Sequence, residues 1–504
     1  MTASVTTGRR RRAVVVGAGY GGLAAAIRLR AAGLDVTVLE RDARPGGRAG
    51  RIERDGFAFD TGPSVLTMPR LLADLFALGG EDLADHLELI RLDPAYRATF
   101  HDGSVLRVRG DVEAMREEVA EVCGPDEAER FTRLAARLRE LYLAEYDSFI
   151  DNNFDSPLAL AKPQAAARLI RLGGFRRVYP LVESFLTDWR LIRMFTFQSM
   201  YAGMSPYEAL GIYAVIAYMD AIEGVYSAKG GVHAASVALA GLAERMGVEL
   251  RMSTPVAEIE VAGGRAIAAR TADGERVPFD VVVLNPDLPV AYRDLLPPEA
   301  TPRRVKRLTY SPSCVVVHLG LDRKVPDAAH HNIHFARDFQ ASFDDILAGR
   351  MQRDPSWFLT VPTHSDPDLA PPGGDVGFWL LPTPNLEGDP IDWDAQAPRE
   401  LERAQAELER AGYGPIAEAT VASEVVTPAD WARQGMAAGT PFAASHHFRQ
   451  TGPFRPANVA PKVRGVVFAG SSTTPGVGVP MVLISGKLAA ERALAQVGQE
   501  ELAP

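Results

Sequence analysis

Cysteine is nearly missing from this 504-residue chain, which has two, Cys123 and Cys314, far apart and in no CxxC pair. Their scarcity excludes a disulfide framework and a cysteine-built zinc site, and it fits a reducing, cytoplasmic setting. Basic charge is not in surplus either: 54 Lys and Arg stand against 64 Asp and Glu, a formal charge of −10. No excess is available to displace counterions from phosphates, so no nucleic-acid partner is expected. Long apolar runs are absent; "LGIYAVIAYM" (210–219) stops at about half of the roughly 20 residues that a membrane span takes. The basic run 9–12 leads through "AVVV" into "GAGYGG" with no signal-peptide core or cleavage site, so no targeting role is expected for it. Neither GxSxG nor HExxH occurs, which removes local support for a hydrolase.

What the chain does have is 47% hydrophobic residues over a length suited to two or three domains. Near its start, the β-branched run 13–16 predicts a buried parallel strand that opens into Gly17-Ala18-Gly19-Tyr20-Gly21-Gly22. A helix of small residues follows, Gly33 ends it, and "DVTVLE" closes a second strand on Glu40. This is the dinucleotide-binding order. Gly17 allows the tight turn, Gly19 admits a pyrophosphate, Gly22 lets helix and strand pack, and the helix amino end faces phosphate. Glu40 is placed to bind ribose hydroxyls and to repel a 2′-phosphate, which disfavours NADP.

The chain continues "RDARPGGRAG", placing Arg41, the doublet Gly46-Gly47 and Arg48 just beyond the second strand, and then "FAFDTGPSVLTMP" (57–69) with Pro63 and Ser64. Glycines and Pro63 keep side chains off a flat ring, and Arg48 offers a cation to phosphate or flavin oxygens. Together these stretches resemble the extended FAD signature of the amine-oxidase and carotenoid-desaturase flavoproteins. Further blocks resemble bacterial-type phytoene desaturases over residues 13–495. They are "FTFQSMYAGMSPYEALGIYAVIAYMD" (195–220), "EGVYSAKGGVHAASVALAGLAERMGVEL" (223–250), "HHNIHFARDF" (330–339), "DPDLAPPGGD" (366–375) and "HHFRQTGPFRPAN" (446–458). Two departures stand out. The family usually has an aromatic-proline pair where this chain has Tyr226-Ser227-Ala228, and a histidine where Thr474 precedes Pro475; they bear on product range and on proton transfer.

The resemblance implies an α/β, Rossmann-like FAD-binding fold of the amine-oxidase and carotenoid-desaturase type, with a mixed-sheet substrate domain and a helical membrane-associating lobe. The expected FAD domain is discontinuous (10–75, 226–298, 455–497), the substrate domain takes 85–110 with 300–450, and 111–225 is mostly helical. The alternating stretch 254–286, with turns at Gly263-Gly264 and Asp273-Gly274, reads as a small antiparallel crossover ending in a buried strand at 281–284. In such a fold Val256 presents its backbone to the adenine. The late run "RGVVFAG" (464–470) reads as a last buried strand whose glycine-rich exit, with Gly470, Pro475, Gly476 and Gly478, is stripped of side chains to admit a flavin ring. A helix from Val479 then points its positive end at that ring.

Other constellations read as ordinary. His330, His331 and His334 suggest a metal, but on a strand 331 and 334 face opposite ways and no acidic or cysteine partner completes a site; no metal is expected. His446-His447 reads as a hydrogen-bonded pair. Asp147, in "EYDSFID", and Thr474 are the weakly marked candidates for acid–base work, with no catalytic side chain otherwise assigned.

For a hydrocarbon substrate the hard step belongs to the cofactor. The expected chemistry is loss of a hydride from an allylic carbon to flavin and of a proton from its neighbour, extending a polyene from phytoene toward zeta-carotene, neurosporene or lycopene. Oxygen or a membrane quinone is the expected electron acceptor. Alternatives of the same fold are a desaturase of a later carotenoid, a flavin amine oxidase and a prenyl-lipid carrier without FAD. The substrate's insolubility implies peripheral attachment to the cytoplasmic membrane, and the expected lipid contact is 169–195, through Arg171, Arg176, Arg177, Arg190 and Arg193 with Phe175, Tyr179, Phe185 and Trp189.

Overall fold

The computed structural model describes residues 10–154 and 163–498. Its nucleotide-side layer is a five-stranded parallel sheet in the order Val466–Phe468, Val281–Leu284, Arg12–Val16, Asp35–Leu39, Glu249–Arg251. The valine-rich strands are buried on both faces, as a parallel sheet covered by helices requires. Helix Tyr20–Ala31 starts on the first turn so tightly that a Cβ at Gly22 would lie 2.0 Å from the Gly17 carbonyl oxygen. Helix Val479–Val497 lies against it, with Gly486 over the Gly21 carbonyl. The strands Val256–Ala262, Arg265–Thr271 and Arg276–Pro278 form a separate antiparallel sheet, and Gly263 and Gly264, at φ +57° and +72°, make its first turn.

The second large layer is a seven-stranded mixed sheet: Thr420–Val426, Ser313–Leu321, Asp375–Thr383, Trp357–Thr360, His331–His334, Tyr96–Thr99, Val105–Val108. All of its pairs are antiparallel except that of His331–His334 with Tyr96–Thr99. Ser313–Leu321 is buried along its whole length between two neighbours.

Helices Val112–Cys123 and Pro125–Glu145 cover one side, but the expected helical lobe is less regular than its composition suggests. Residues 197–223 are single turns: 3₁₀ at Phe197–Ala202 and Gly211–Ala214, α at Val215–Tyr218, π at Met219–Glu223. Gly203 leaves the first turn at φ +69°. The amides of Gly211 and Ile212 donate to the carbonyls of Arg176 and Gly174 (2.6 and 2.9 Å), and a Cβ at Gly211 would sit 2.5 Å from the Gly173 carbonyl oxygen. The chain is held against a loop, and those amides are lost to any continuous helix.

The same lobe corrects the expected lipid contact. Arg190 pairs with Asp188 at 2.6 Å, and Arg193 donates to the carbonyls of Ala336 and Arg337 and lies over the Trp189 ring at 4.7 Å. Trp189 packs edge-on to buried Phe100. Arg193 and Trp189 fasten the lobe to the loops beside the seven-stranded sheet, while Arg190 is held within the lobe by Asp188 and the Val122 carbonyl, so none of the three is free for lipid. Exposed instead are Ile170, Arg171, Phe175, Arg176 and Arg177.

Candidate active site

A cavity of about 1000 Å³ runs from the carboxyl edge of the parallel sheet to the seven-stranded sheet. That is the top of the usual range of roughly 300–1,000 Å³ for one small-molecule site. Gly17, Gly19, Glu40 and Arg41 line its nucleotide end, with Val256 beside them. Gly46, Gly47, Arg48, Pro63 and Ser64 line its middle, facing Gly470, Pro475, Gly476, Gly478 and Val479 from the chain's end. Two other residues singled out in the sequence are not among the lining: Gly22 is spent on the helix start, and Thr474 is buried outside the cavity wall. The Asp147 side chain lies outside the described residues.

Glu40 is buried, and both of its oxygens are in use: Oε2 accepts from the Ala18 amide at 2.6 Å and Oε1 from the Asp42 amide at 2.9 Å. Burial raises its pKa, against which the two amides act. A carboxylate has about four acceptor positions, so this clamp on the glycine turn still leaves room for ribose hydroxyls. Arg48 has a counter-ion that the sequence did not announce, Asp287 at 3.7 Å. Asp287 also accepts from the Ala437 amide (3.0 Å) and the Ser472 hydroxyl. Its signal was its place just past the carboxyl end of strand Val281–Leu284, where such sheets carry their polar groups.

The glycine-rich tail turns out to answer to two neighbours. At Gly478, φ +108°, an added Cβ would meet nothing within 4 Å, so the backbone there is open to the cavity, and helix Val479–Val497 begins beside it. At Gly476 the added Cβ would lie 2.2 Å from His446 Nε2. Part of what was read as clearance for a ring is clearance for an imidazole. These features, an open glycine backbone, a helix amino end, Arg48 and Glu40, fit a flavin dinucleotide.

The far half is apolar, walled by side chains that include Phe149, Ile216, Ile333 and Phe343. Two acids reach it, both missed in the sequence. Glu145 is 4% exposed, its Oε1 has no hydrogen-bond partner, and burial holds its pKa well above the carboxylate range. Asp220 accepts from the Tyr96 hydroxyl at 3.1 Å; burial pushes its pKa up to about 7, and the tyrosine bond opposes the shift. Each borders or sits in a π turn, Tyr146–Ile150 or Met219–Glu223, which rotates the helix face by part of a turn. The sequence stretch that drew attention through Asp147 thus brings Glu145 to the cavity.

Asp220 makes stability depend on pH. Its folded pKa lies above the unfolded carboxyl value, so between about pH 4 and 7 the folded protein keeps a proton that the unfolded chain has lost. Stability therefore falls as pH rises through that window, by up to about 4 kcal/mol at 1.36 kcal/mol per unit. Asp220→Asn should flatten the decline, leaving a variant at least as stable as the parent at pH 8. Thermal melts at pH 5 and pH 8 read this directly, and an unchanged slope would mean that Asp220 titrates like a surface acid.

His330, His331 and His334 each share a hydrogen bond with a hydroxyl, of Ser365, Thr360 and Tyr413 respectively, at 2.8–3.0 Å. No group of three His, Cys, Asp or Glu among the described residues is disposed to hold a metal ion.

Comparison with known proteins agrees with this geometry. The sequence profile of the flavin-containing amine oxidoreductases matches residues 20–494. A phytoene dehydrogenase of Streptomyces griseus is 51% identical over 95% of this chain and 94% of its own. A zeta-carotene-forming phytoene desaturase of Myxococcus xanthus is 39% identical over 96% of this chain and 93% of its own. Among solved structures, an oxidoreductase from Methanosarcina mazei superposes with a TM-score of 0.62 at 17% identity, over 95% of this chain and all of that one, which shows the shared fold. The chain belongs to the flavin-containing amine oxidoreductases and, among them, to the FAD-dependent carotenoid desaturases.

Proposed function

We propose that the protein desaturates phytoene, extending its conjugated polyene toward zeta-carotene, neurosporene or lycopene. The observation that carries this reading is one cavity with a nucleotide cradle at one end and an apolar half at the other, in a chain 51% identical to a phytoene dehydrogenase. FAD, when bound, supplies the two-electron, hydride-accepting chemistry that no side chain offers. Glu40 would hold the ribose, the turn at Gly17 and Gly19 the pyrophosphate, Arg48 a phosphate or ring oxygen, and Gly478 would leave the ring its space. The apolar walls hold an extended hydrocarbon and keep water out, which strengthens every electrostatic contact inside. Glu145, kept protonated by burial, puts no anion against that hydrocarbon, and Asp220, its pKa pushed up to about 7, is uncharged below that pH. Oxygen or a membrane quinone would then take up the electrons.

The test is direct. FAD-loaded protein incubated with phytoene liposomes should yield red-shifted polyene absorption, each added double bond moving the bands further. No new band under these conditions, with turnover of an amine or of a later carotenoid instead, would overturn the assignment.

The substrate also dictates where the reaction takes place. A forty-carbon hydrocarbon costs about 0.8 kcal/mol per methylene-sized group to keep in water, tens of kcal/mol in all, so it is met at a bilayer. No helix among the described residues is long and apolar enough to cross one. Contact at the membrane surface is supported by Ile170, 66% exposed, and Phe175, 39% exposed, interleaved with Arg171, Arg176 and Arg177. Changing Arg176 and Arg177 together to glutamate should cut co-sedimentation with anionic liposomes several-fold and slow desaturation, with FAD content unchanged. Full retention of liposome binding would move the contact to another face.

A further inference from the structure

We propose that Asp220 is the catalytic base of the desaturation, its Oδ1 taking the proton that leaves the carbon next to the one losing hydride. The proposal rests on the desaturase reading above.

The geometry begins with the half of the carboxyl group that is not in use. Asp220 is 2% exposed and lines the cavity, and its Oδ2 accepts from the Tyr96 hydroxyl at 3.1 Å. Oδ1 accepts no hydrogen bond among the described residues and, unlike Glu145 Oε1, is not sealed among protein atoms, so its open side is the cavity. An acceptor left open on an apolar wall costs stability, and such a group in a native protein calls for a reason. Its holder is rigid: the Tyr96 ring stacks on His331 at 5.6 Å and meets Phe197 edge-on at 6.4 Å. The cluster also reaches the flavin side. Tyr201, whose phenol is raised in pKa by burial and then by the charge of Asp220, directly precedes Ala202; the Ala202 carbonyl oxygen lies 2.8 Å from His446 Nδ1, and His446 packs on Gly476 of the glycine-rich loop.

Other groups of the lining are closed to this role. Glu145 is held as an acid by burial. His446 is spent at both nitrogens: Nδ1 is on the Ala202 carbonyl, and a Cβ at Gly476 would lie 2.2 Å from Nε2, so the Gly476 backbone covers it. Tyr201 and Tyr213 are phenols whose pKa burial raises, which keeps them donors. Asp287 is paired with Arg48, and His233, its Nδ1 2.9 Å from the Ala49 carbonyl oxygen, stands at the Gly46 turn of the nucleotide cradle. Thr474 does not line the cavity. The titratable groups around Asp220 are Tyr96, Tyr201 and, behind Tyr96, His331, which burial keeps neutral. Burial pushes the Asp220 pKa up to about 7 and the Tyr96 bond opposes the shift, so at pH 8 the carboxylate is the major form. It is a stronger base than a surface carboxylate by about three powers of ten. An anion in an apolar wall also stabilises the positive charge that develops on the allylic carbon.

The step balances. One carbon loses hydride, and its two electrons, to the FAD of the family's activity. On the adjacent carbon the C–H bond breaks, its electron pair becomes the new C=C bond, and the proton goes to Oδ1, giving the neutral acid. That acid yields the proton to water when product leaves.

The test uses the FAD-loaded chain with phytoene liposomes. The parent's kcat/KM should rise about tenfold per pH unit up to about pH 7 and level off above it. Asp220→Asn keeps the size of the side chain and can still accept from Tyr96, but it takes no proton. At pH 8 it should lose about 100-fold or more in turnover, the usual worth of general base catalysis, with the rise through pH 7 gone and flavin content kept. Tyr96→Phe removes a donor that favours the anion, so it should move the rise to higher pH; an unmoved rise would overturn its assignment to Asp220. A second readout needs no turnover: infrared difference spectra between pH 5 and pH 9, without substrate, should show a carboxyl C=O band lost around pH 7 in the parent and missing in Asp220→Asn. An Asp220 already ionised at pH 5, or still protonated at pH 9, overturns the proposal, and so does an Asp220→Asn enzyme within threefold of an active parent at pH 8. A parent that desaturates no phytoene overturns the desaturase reading and this step with it, a failure told apart from the others by the inactive parent.

Discussion

Replacing Arg455 by methionine is expected to give a protein that no longer retains FAD and that is less stable by roughly 3 to 5 kcal/mol, the scale of breaking a buried, fully engaged charge. Arg455 is 2% exposed, and its guanidinium donates to five backbone carbonyls. Three of them, of Ala444, Ser445 and Gln450, belong to the segment that carries His446. The other two, of Ser471 and Thr473, belong to the glycine-rich loop that edges the cavity. Five is the full donor complement of an arginine. One side chain therefore staples together two segments that both contribute to the cavity wall, and methionine would leave five acceptors facing each other with no donor. Burial lowers the Arg455 pKa to about 10, so it is still a cation at neutral pH, and Asp287, the partner of Arg48, helps to keep it so. Arg455→Lys, a point charge with three donors, should recover only part of the stability. Thermal melts and the ratio of flavin to protein absorbance measure both effects. A methionine variant that is yellow and melts like the parent would show that the loop is held by something else.

How much of this could be read beforehand depended on range. The glycine turn, the strand-ending Glu40, the hairpin at Gly263-Gly264 and the helix from Val479 are local patterns, and each was legible because neighbours in sequence are also neighbours in space. The shape of the site depends on pairs far apart in the chain. Nothing near Arg48 announces Asp287, nothing near Gly476 announces His446, and the five carbonyls of Arg455 come from two loops. The single turns of 197–223 were hidden for a related reason: the amides of Gly211 and Ile212 bond to the carbonyls of residues 176 and 174, a tertiary contact that overrides a helical composition. The acids show a finer failure. The periodicity of "EYDSFID" leaves several faces open, and only the π turn at Tyr146–Ile150 settles that Glu145 meets the cavity. For the arginine-rich stretch, composition alone could not separate those taken up in contacts, Arg190 with Asp188 and Arg193 with the Ala336 carbonyl, from those left exposed.

Gly19→Val should abolish FAD binding, and Glu40→Ala should weaken it at least tenfold, which together separate the two jobs of the nucleotide turn. At Gly19 a Cβ would already lie 2.8 Å from the Asn285 side-chain oxygen, whose amide group is itself tied to the Ala469 carbonyl at 3.0 Å. Valine therefore pushes the turn off the sheet edge before any phosphate arrives, and some loss of stability should accompany the loss of flavin. Glu40 acts differently. Its bonds to the Ala18 and Asp42 amides hold the turn in the free protein, and because Glu40 also lines the cavity its remaining acceptor positions are the ones proposed to take the ribose hydroxyls. Hydrogen bonds to a charged group are worth about 1.5 to 3 kcal/mol each, so alanine costs on the order of one to two powers of ten in affinity. Glu40→Gln is the informative companion. It keeps the size and some hydrogen bonding but presents one amide N–H₂ to partners that are themselves donors, so it should fall between the parent and alanine. Flavin titration of the three apoproteins gives the order. Parent-like affinity in both Glu40 variants would remove this carboxylate from the ribose site, and parent-like flavin content in Gly19→Val would remove the turn from the pyrophosphate.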